Sequence, residues 1–124
     1  EIGPNVVVYP SSSIGDNVKV QAFSVVANSI LMDDVILGPH STVSNSVLAS
    51  GVRVASNLMA SSARADAQIE GEWHVVDPLG ALVGEDTEIR DGVAIEPGSV
   101  VGARCKIGSL ARVRGNVPNG TTVM

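Results

Sequence analysis

Two histidines, one cysteine and a short run of cations are the residues of this chain best suited to chemistry. His40 follows Gly38 and Pro39, and His74 follows Trp73. An imidazole exchanges its proton near neutral pH, so His40 is a candidate general base. A zinc hydratase would need three imidazoles on one metal and an open position for water. Two histidines are too few unless carboxylates substitute, and no metal is expected. Cys105 is the single cysteine, which excludes an intrachain disulfide and a cysteine zinc cluster. A reducing cytoplasm is then the default location. Arg104, Lys106, Arg112 and Arg114 are half of the 8 Lys and Arg residues. They read either as a solvated face or as a site for the phosphates of a ligand.

The whole chain sets limits on that chemistry. Its 124 residues suit one domain. With 44% hydrophobic and 17% charged residues it can bury a core, unlike a disordered segment. A net charge of -5 argues against nucleic acid, whose backbone needs clustered cations. No apolar run approaches the ~20 residues of a membrane helix, and no membrane role is expected. Neither a Gly-rich phosphate loop nor a metal-binding carboxylate pair on a strand–turn–helix appears. The pattern begins at once from Glu1, so the chain is expected to be part of something longer.

A strict period of six positions everything else. Ile2, Val8, Ile14, Val20 and Val26 are spaced by six, as are Val83, Ile89, Ile95, Val101, Ile107 and Val113. Four residues after each leading aliphatic stands a second small or aliphatic residue. Examples are Val6, Ser12, Val18, Ser24 and Ile30 early on, and Thr87, Val93, Ser99, Cys105, Ala111 and Val117 later. Helices repeat near 3.6 residues and strands near 2, so neither explains six. A short strand plus a tight corner does, with three such units closing one triangular coil. The fold expected is all-β, a parallel β-helix of about six coils, roughly 29 Å long at about 4.8 Å per strand spacing. Residues three after the leading aliphatic fall at corners. Asn5, Asn17, Gly51, Asn57, Gly92 and Gly98 stand there, types that accept positive φ. A narrow prism also explains the 2% aromatic content.

The middle keeps the pattern with tightened corners. Val26 leads to Leu31, Leu37, Val43, Leu48, Val54, then Met59 and Ala65, with similar text at Asn28-Ser29, Asn45-Ser46 and Asn57-Leu58. Residues 70–81 break the pattern and read as an excursion loop. Its Trp73 is expected to fold back over the prism rather than serve as a contact. Val117-Pro118-Asn119-Gly120 reads as the closing turn. Outward Val7, Val25, Ile36 and Val100 are apolar, which points to wall-to-wall packing in a closed homotrimer.

These features resemble the C-terminal β-helix domain of sugar-1-phosphate nucleotidylyltransferases, and most of all the archaeal bifunctional enzymes that also acetylate amino-sugar phosphates. The likeness runs through Asn28-Ser29-Ile30-Leu31-Met32, Pro39-His40, Gly51-Val52, Val83-Gly84, Ile95-Glu96-Pro97-Gly98 and Val117-Pro118. It implies that the parallel β-helix is left-handed and that the domain is a trimer, with acetyl-coenzyme A in a groove between prisms. It implies His40 as the base that deprotonates a sugar amine, and Asn57 as a substrate contact. Arg104, Lys106, Arg112 and Arg114 would meet the coenzyme phosphates, and nucleotidyl transfer would belong to a domain outside this chain. Departures stand at Tyr9, Val25, Ala27, Val43 and Asp77-Pro78, where the family carries residues that hold the sugar phosphate. The alternative is an oligomerisation or partner-binding scaffold with a degenerate site.

Overall fold

The computed structural model describes residues 1–60, 63–69 and 72–123, with only the backbone of 63–69 and 72–79. Three flat walls of parallel strands form a triangular prism. The first wall stacks Val7–Val8, Val25–Ala27, Thr42–Ser44, Met59–Ala60, Ala94–Ile95 and Arg112–Val113. The second stacks Ser13–Ile14, Ile30–Leu31, Val47–Leu48, Leu82–Val83, Val100–Val101 and Asn116–Val117. The third stacks Lys19–Val20, Ile36–Leu37, Arg53–Val54, Glu88–Ile89, Lys106–Ile107 and Thr122–Val123. Each wall has six strands, so the prism has six coils. It is the parallel β-helix expected from the six-residue period, with the left hand that the resemblance implied, although parallel crossovers elsewhere are overwhelmingly right-handed.

The period works because each wall sends two residues inward, two positions apart. Val26 with Ser24, Leu37 with Val35, Val54 with Val52 and Ile95 with Val93 are all buried. Stacking these on neighbouring coils makes one continuous core, and each full burial of a Val, Leu or Ile contributes about 1.5–3 kcal/mol. The buried serines are satisfied along the prism axis. The Ser24 hydroxyl accepts the Ser41 N–H at 3.2 Å, and the Ser41 hydroxyl accepts the Leu58 N–H at 3.2 Å. Corners turn in the left-handed region. Asn5, Asn17, Gly51, Asn57, Gly92 and Gly98 all have φ between 54° and 80°, as their residue types required.

Several expectations about register are corrected. Ala60, not Met59, points into the core; Ala60 is 0% exposed and Met59 56%. Ile30 faces outward at 44% exposure, and Ser29 is its buried neighbour. At the two tight corners a serine hydroxyl bonds back two residues: Ser29 donates to the Ala27 carbonyl at 2.8 Å, and Ser46 to the Ser44 carbonyl at 2.7 Å. The step from Val54 runs the full six residues to the buried Ala60. The excursion is neither a loop nor confined to 70–81. Ala63–Ile69 and Glu72–Leu79 pair antiparallel as a two-stranded arm. Ala65 pairs with Val76 in this arm and does not lead a coil. The side chains of Trp73 and His74 lie outside the described ones. Val117 is not in a closing turn but pairs with Val101, and Val123 pairs with Ile107 to complete the sixth coil.

Candidate functional site

His40 stands at the corner between the third wall and the first. Gly38 begins this corner because its backbone is pressed against the next coil, where a Cβ would strike the Ala55 carbonyl. The Gly38 carbonyl accepts the Ser24 hydroxyl at 3.0 Å. Pro39 follows, and His40 takes φ 58°. Its backbone N–H donates to the Ala22 carbonyl at 3.0 Å, leaving the imidazole exposed.

Backbone bonds of the same kind build a column along this edge. Phe23 donates to the Pro4 carbonyl at 3.1 Å, Asn57 to Pro39 at 3.0 Å, Gly92 to Ser56 at 3.0 Å and Leu110 to Asp91 at 2.8 Å. Asn5, Phe23, His40, Asn57, Gly92 and Leu110 therefore follow one another rung by rung. The two residues singled out for catalysis and substrate contact, His40 and Asn57, are next neighbours in it. The Phe23 ring stacks on the His40 imidazole, with centroids 5.1 Å apart and planes 8° from parallel. On the far side of Asn57, Leu110 leans over Gly92, where a Cβ would come within 2.7 Å of Leu110 Cδ2. Ser56 donates to Asp91 Oδ1 at 2.7 Å and ties these two rungs together. Phe23 at φ 62° and Leu110 at φ 63° are bulky residues in a conformation that costs roughly 1–2 kcal/mol for anything but glycine, Asn or Asp.

The four C-terminal cations do not converge. Arg112 lies on the first wall and Arg114 just past its last strand, and both reach Glu96, at 2.6 Å and 3.5 Å. Arg104 occupies a different corner, between the second and third walls, where its N–H donates to the Glu85 carbonyl at 2.7 Å. Lys106 lies on the third wall and lines a groove of about 360 Å³ with Arg90, Ile107, Gly108, Ser109, Thr122 and Val123. Arg90 is a candidate phosphate contact that sequence reasoning missed. The signal available was its place just after the inward Ile89, where side chains emerge on the third wall beside the His40 edge. Three rungs of about 4.8 Å separate Leu110 from His40, roughly 14 Å along the axis. The groove thus lies near the far end of the same edge. Among the described residues no group of three or more His, Cys, Asp or Glu side chains gathers to hold a metal.

The positions where the resemblance fails read differently in three dimensions. Val43 is fully buried in the prism, so no side chain there could touch a ligand. Val25 and Ala27 are partly buried on the first wall, and Tyr9 is 53% exposed on the first coil. Asp77 and Pro78 lie in the arm, outside the described side chains.

A left-handed prism of this kind is also the fold of a solved acetyltransferase domain. The chain belongs to the GMPPB C-terminal domain family, whose profile matches residues 1–96. It is 24% identical over 119 residues to an uncharacterized acetyltransferase, YaiX, of Escherichia coli, covering 90% of this chain and 52% of that protein. It is similar to the acetyltransferase domain of PglB from Neisseria gonorrhoeae, at 26% identity and TM-score 0.81, covering 98% of this chain and 52% of that one. The PglB domain has also been solved in complex with acetyl coenzyme A. PerB from Caulobacter crescentus, solved with CoA and GDP-perosamine, shares the fold at 20% identity and TM-score 0.70, covering 98% of this chain and 53% of PerB. The chain thus spans about half the length of the relatives it matches.

Proposed function

We propose that this chain is the acetyl-transferring β-helix of a cytoplasmic, homotrimeric enzyme that N-acetylates a phosphorylated or nucleotide-linked amino sugar. The observation that carries this reading is the His40 edge: an exposed imidazole beside Asn57, with the Arg90–Lys106 groove near the other end. The similarity to the PglB acetyltransferase domain, solved with acetyl coenzyme A, supports the same donor here.

The residues present suit such a donor. Acetyl coenzyme A, when bound, supplies an acetyl thioester at the end of a long arm, far from its phosphates. Arg90 and Lys106 would hold the phosphates by charge-assisted bonds. His40 would accept a proton from the sugar amine as its nitrogen attacks, and Asn57 would hold a sugar hydroxyl or the acceptor carbonyl. Arg112 and Arg114, engaged with Glu96, are poorer candidates than the original set of four suggested.

Trimerisation is part of the same proposal. The four apolar residues named from sequence fall on three different walls, so they form no single patch. The second wall does form one. Ile30, Val47, Leu82 and Val100 follow on successive rungs, with Ile30, Leu82 and Val100 40% or more exposed. Contiguous apolar surface of this kind marks an interface. This stripe also favours the second reading, an oligomerisation scaffold without catalysis.

Calorimetric titration with coenzyme A, followed by assay of acetyl transfer to amino-sugar phosphates and nucleotide-linked amino sugars, tests the proposal. Binding and transfer are expected. Binding of neither donor nor acceptor would leave the scaffold reading.

A further inference from the structure

We infer that Phe23 is a positioning residue that holds the His40 imidazole in one orientation for proton transfer, an assignment resting on His40 as the base. A general base works only when its ring nitrogen is aimed at the proton it takes, and a third group usually does the aiming. Among the described residues no side-chain hydrogen bond is recorded to the His40 ring; its recorded contact is the Phe23 face, 5.1 Å away and nearly parallel. Offset stacking of this kind restrains ring rotation while leaving both nitrogens at the ring edge free for bonding.

The backbone argues the same way. Phe23 has φ 62° and its side chain is 54% exposed. Neither corner geometry nor burial calls for an aromatic residue here. Asn5, Asn57 and Gly92 on the same edge take a left-handed corner without strain, whereas Phe23 and Leu110 do not. Of these two bulky residues Phe23 is the one stacked on the imidazole, and a strained residue beside a reactive group fits one retained for what it does to that group. Phe23 is also on the next coil, so the prism itself sets the spacing between the rings.

Substitution separates orientation from structure. In spectra of the purified chain, the His40 ring protons, assigned by their loss in His40→Gln, should move downfield in Phe23→Leu and Phe23→Asn, since the shielding ring is gone. They should stay in place in Phe23→Tyr. With an accepted amino sugar, kcat should fall roughly tenfold in Phe23→Asn while KM for acetyl coenzyme A is unchanged, and Phe23→Tyr should retain activity. The melting temperature of Phe23→Asn should equal or exceed that of the unsubstituted chain, because Asn accepts positive φ. A purely structural role predicts a drop. Unmoved His40 resonances in Phe23→Leu, or an unchanged kcat in Phe23→Asn, would overturn the inference. If the unsubstituted chain acetylates nothing, the transfer reading fails on its own, and the spectra alone decide whether Phe23 orients the ring.

Discussion

Asn57 donates its backbone N–H to the Pro39 carbonyl at 3.0 Å, so its side chain leaves the prism one coil from His40 on the same edge. The two are 17 residues apart in sequence, yet the coil makes them neighbours. A ligand touching one is within reach of the other, and this sets the first expectation.

Replacing His40 with Ala should lower acetyl transfer by roughly 10²–10⁴-fold, because a general base acts in the transition state. Coenzyme affinity should stay nearly intact, and so should stability, since the imidazole is exposed. Comparison of kcat with the calorimetric Kd for coenzyme A checks this. Equal activity in the variant would remove His40 from the mechanism.

The cations should separate into two groups. Arg90→Ala and Lys106→Ala should each weaken coenzyme A binding about tenfold, the scale of one lost bond to a charged group. Arg112→Ala should leave it unchanged, because that guanidinium serves Glu96. A titration series over the three variants decides. The reverse order would move the phosphates to the first wall.

Leu82 is half exposed and lies centrally in the apolar stripe of the second wall. Leu82→Glu should leave the prism folded and convert a trimer to monomer by sedimentation equilibrium, because an unpaired charge buried in the interface is costly. A trimer that survives this change must pack through another wall.

Inside the prism, Ser41→Ala removes the hydroxyl that accepts the Leu58 N–H. Loss of about 1–3 kcal/mol is expected, the cost of an unsatisfied buried donor, despite the small change in volume. Denaturant unfolding measures it directly. A neutral result would mean that water replaces the hydroxyl.

Fold and site were legible to different depths, for physical reasons. The six-residue period and the Asn and Gly corners reflect local constraints on each coil, so they can be read from one strand and turn at a time. The step from Val54 misled because Asn57-Leu58 resembles Asn28-Ser29, and no single residue type marks a short corner: Ser24 and Ser41 stand in full six-residue steps. The His40–Asn57 pairing follows once coil length is known. Arg90 was passed over because Lys106, with which it lines the groove, is a coil away in sequence and only the three-dimensional stack joins them. The stack of Phe23 on His40 was equally hidden, since the two become neighbours only when a full coil brings one corner over the other.

The arm leaves the prism after Ala60, and the core resumes at Ala81 as if nothing intervened: Met59 still pairs with Thr42 and Leu82 with Val47. A corner that accepts a whole ribbon without disturbing its neighbours makes length cheap to vary there. Such a site can gain or lose residues over generations while every rung of the His40 edge keeps its register. The length of the arm and the spacing of the His40 edge can therefore evolve on separate clocks.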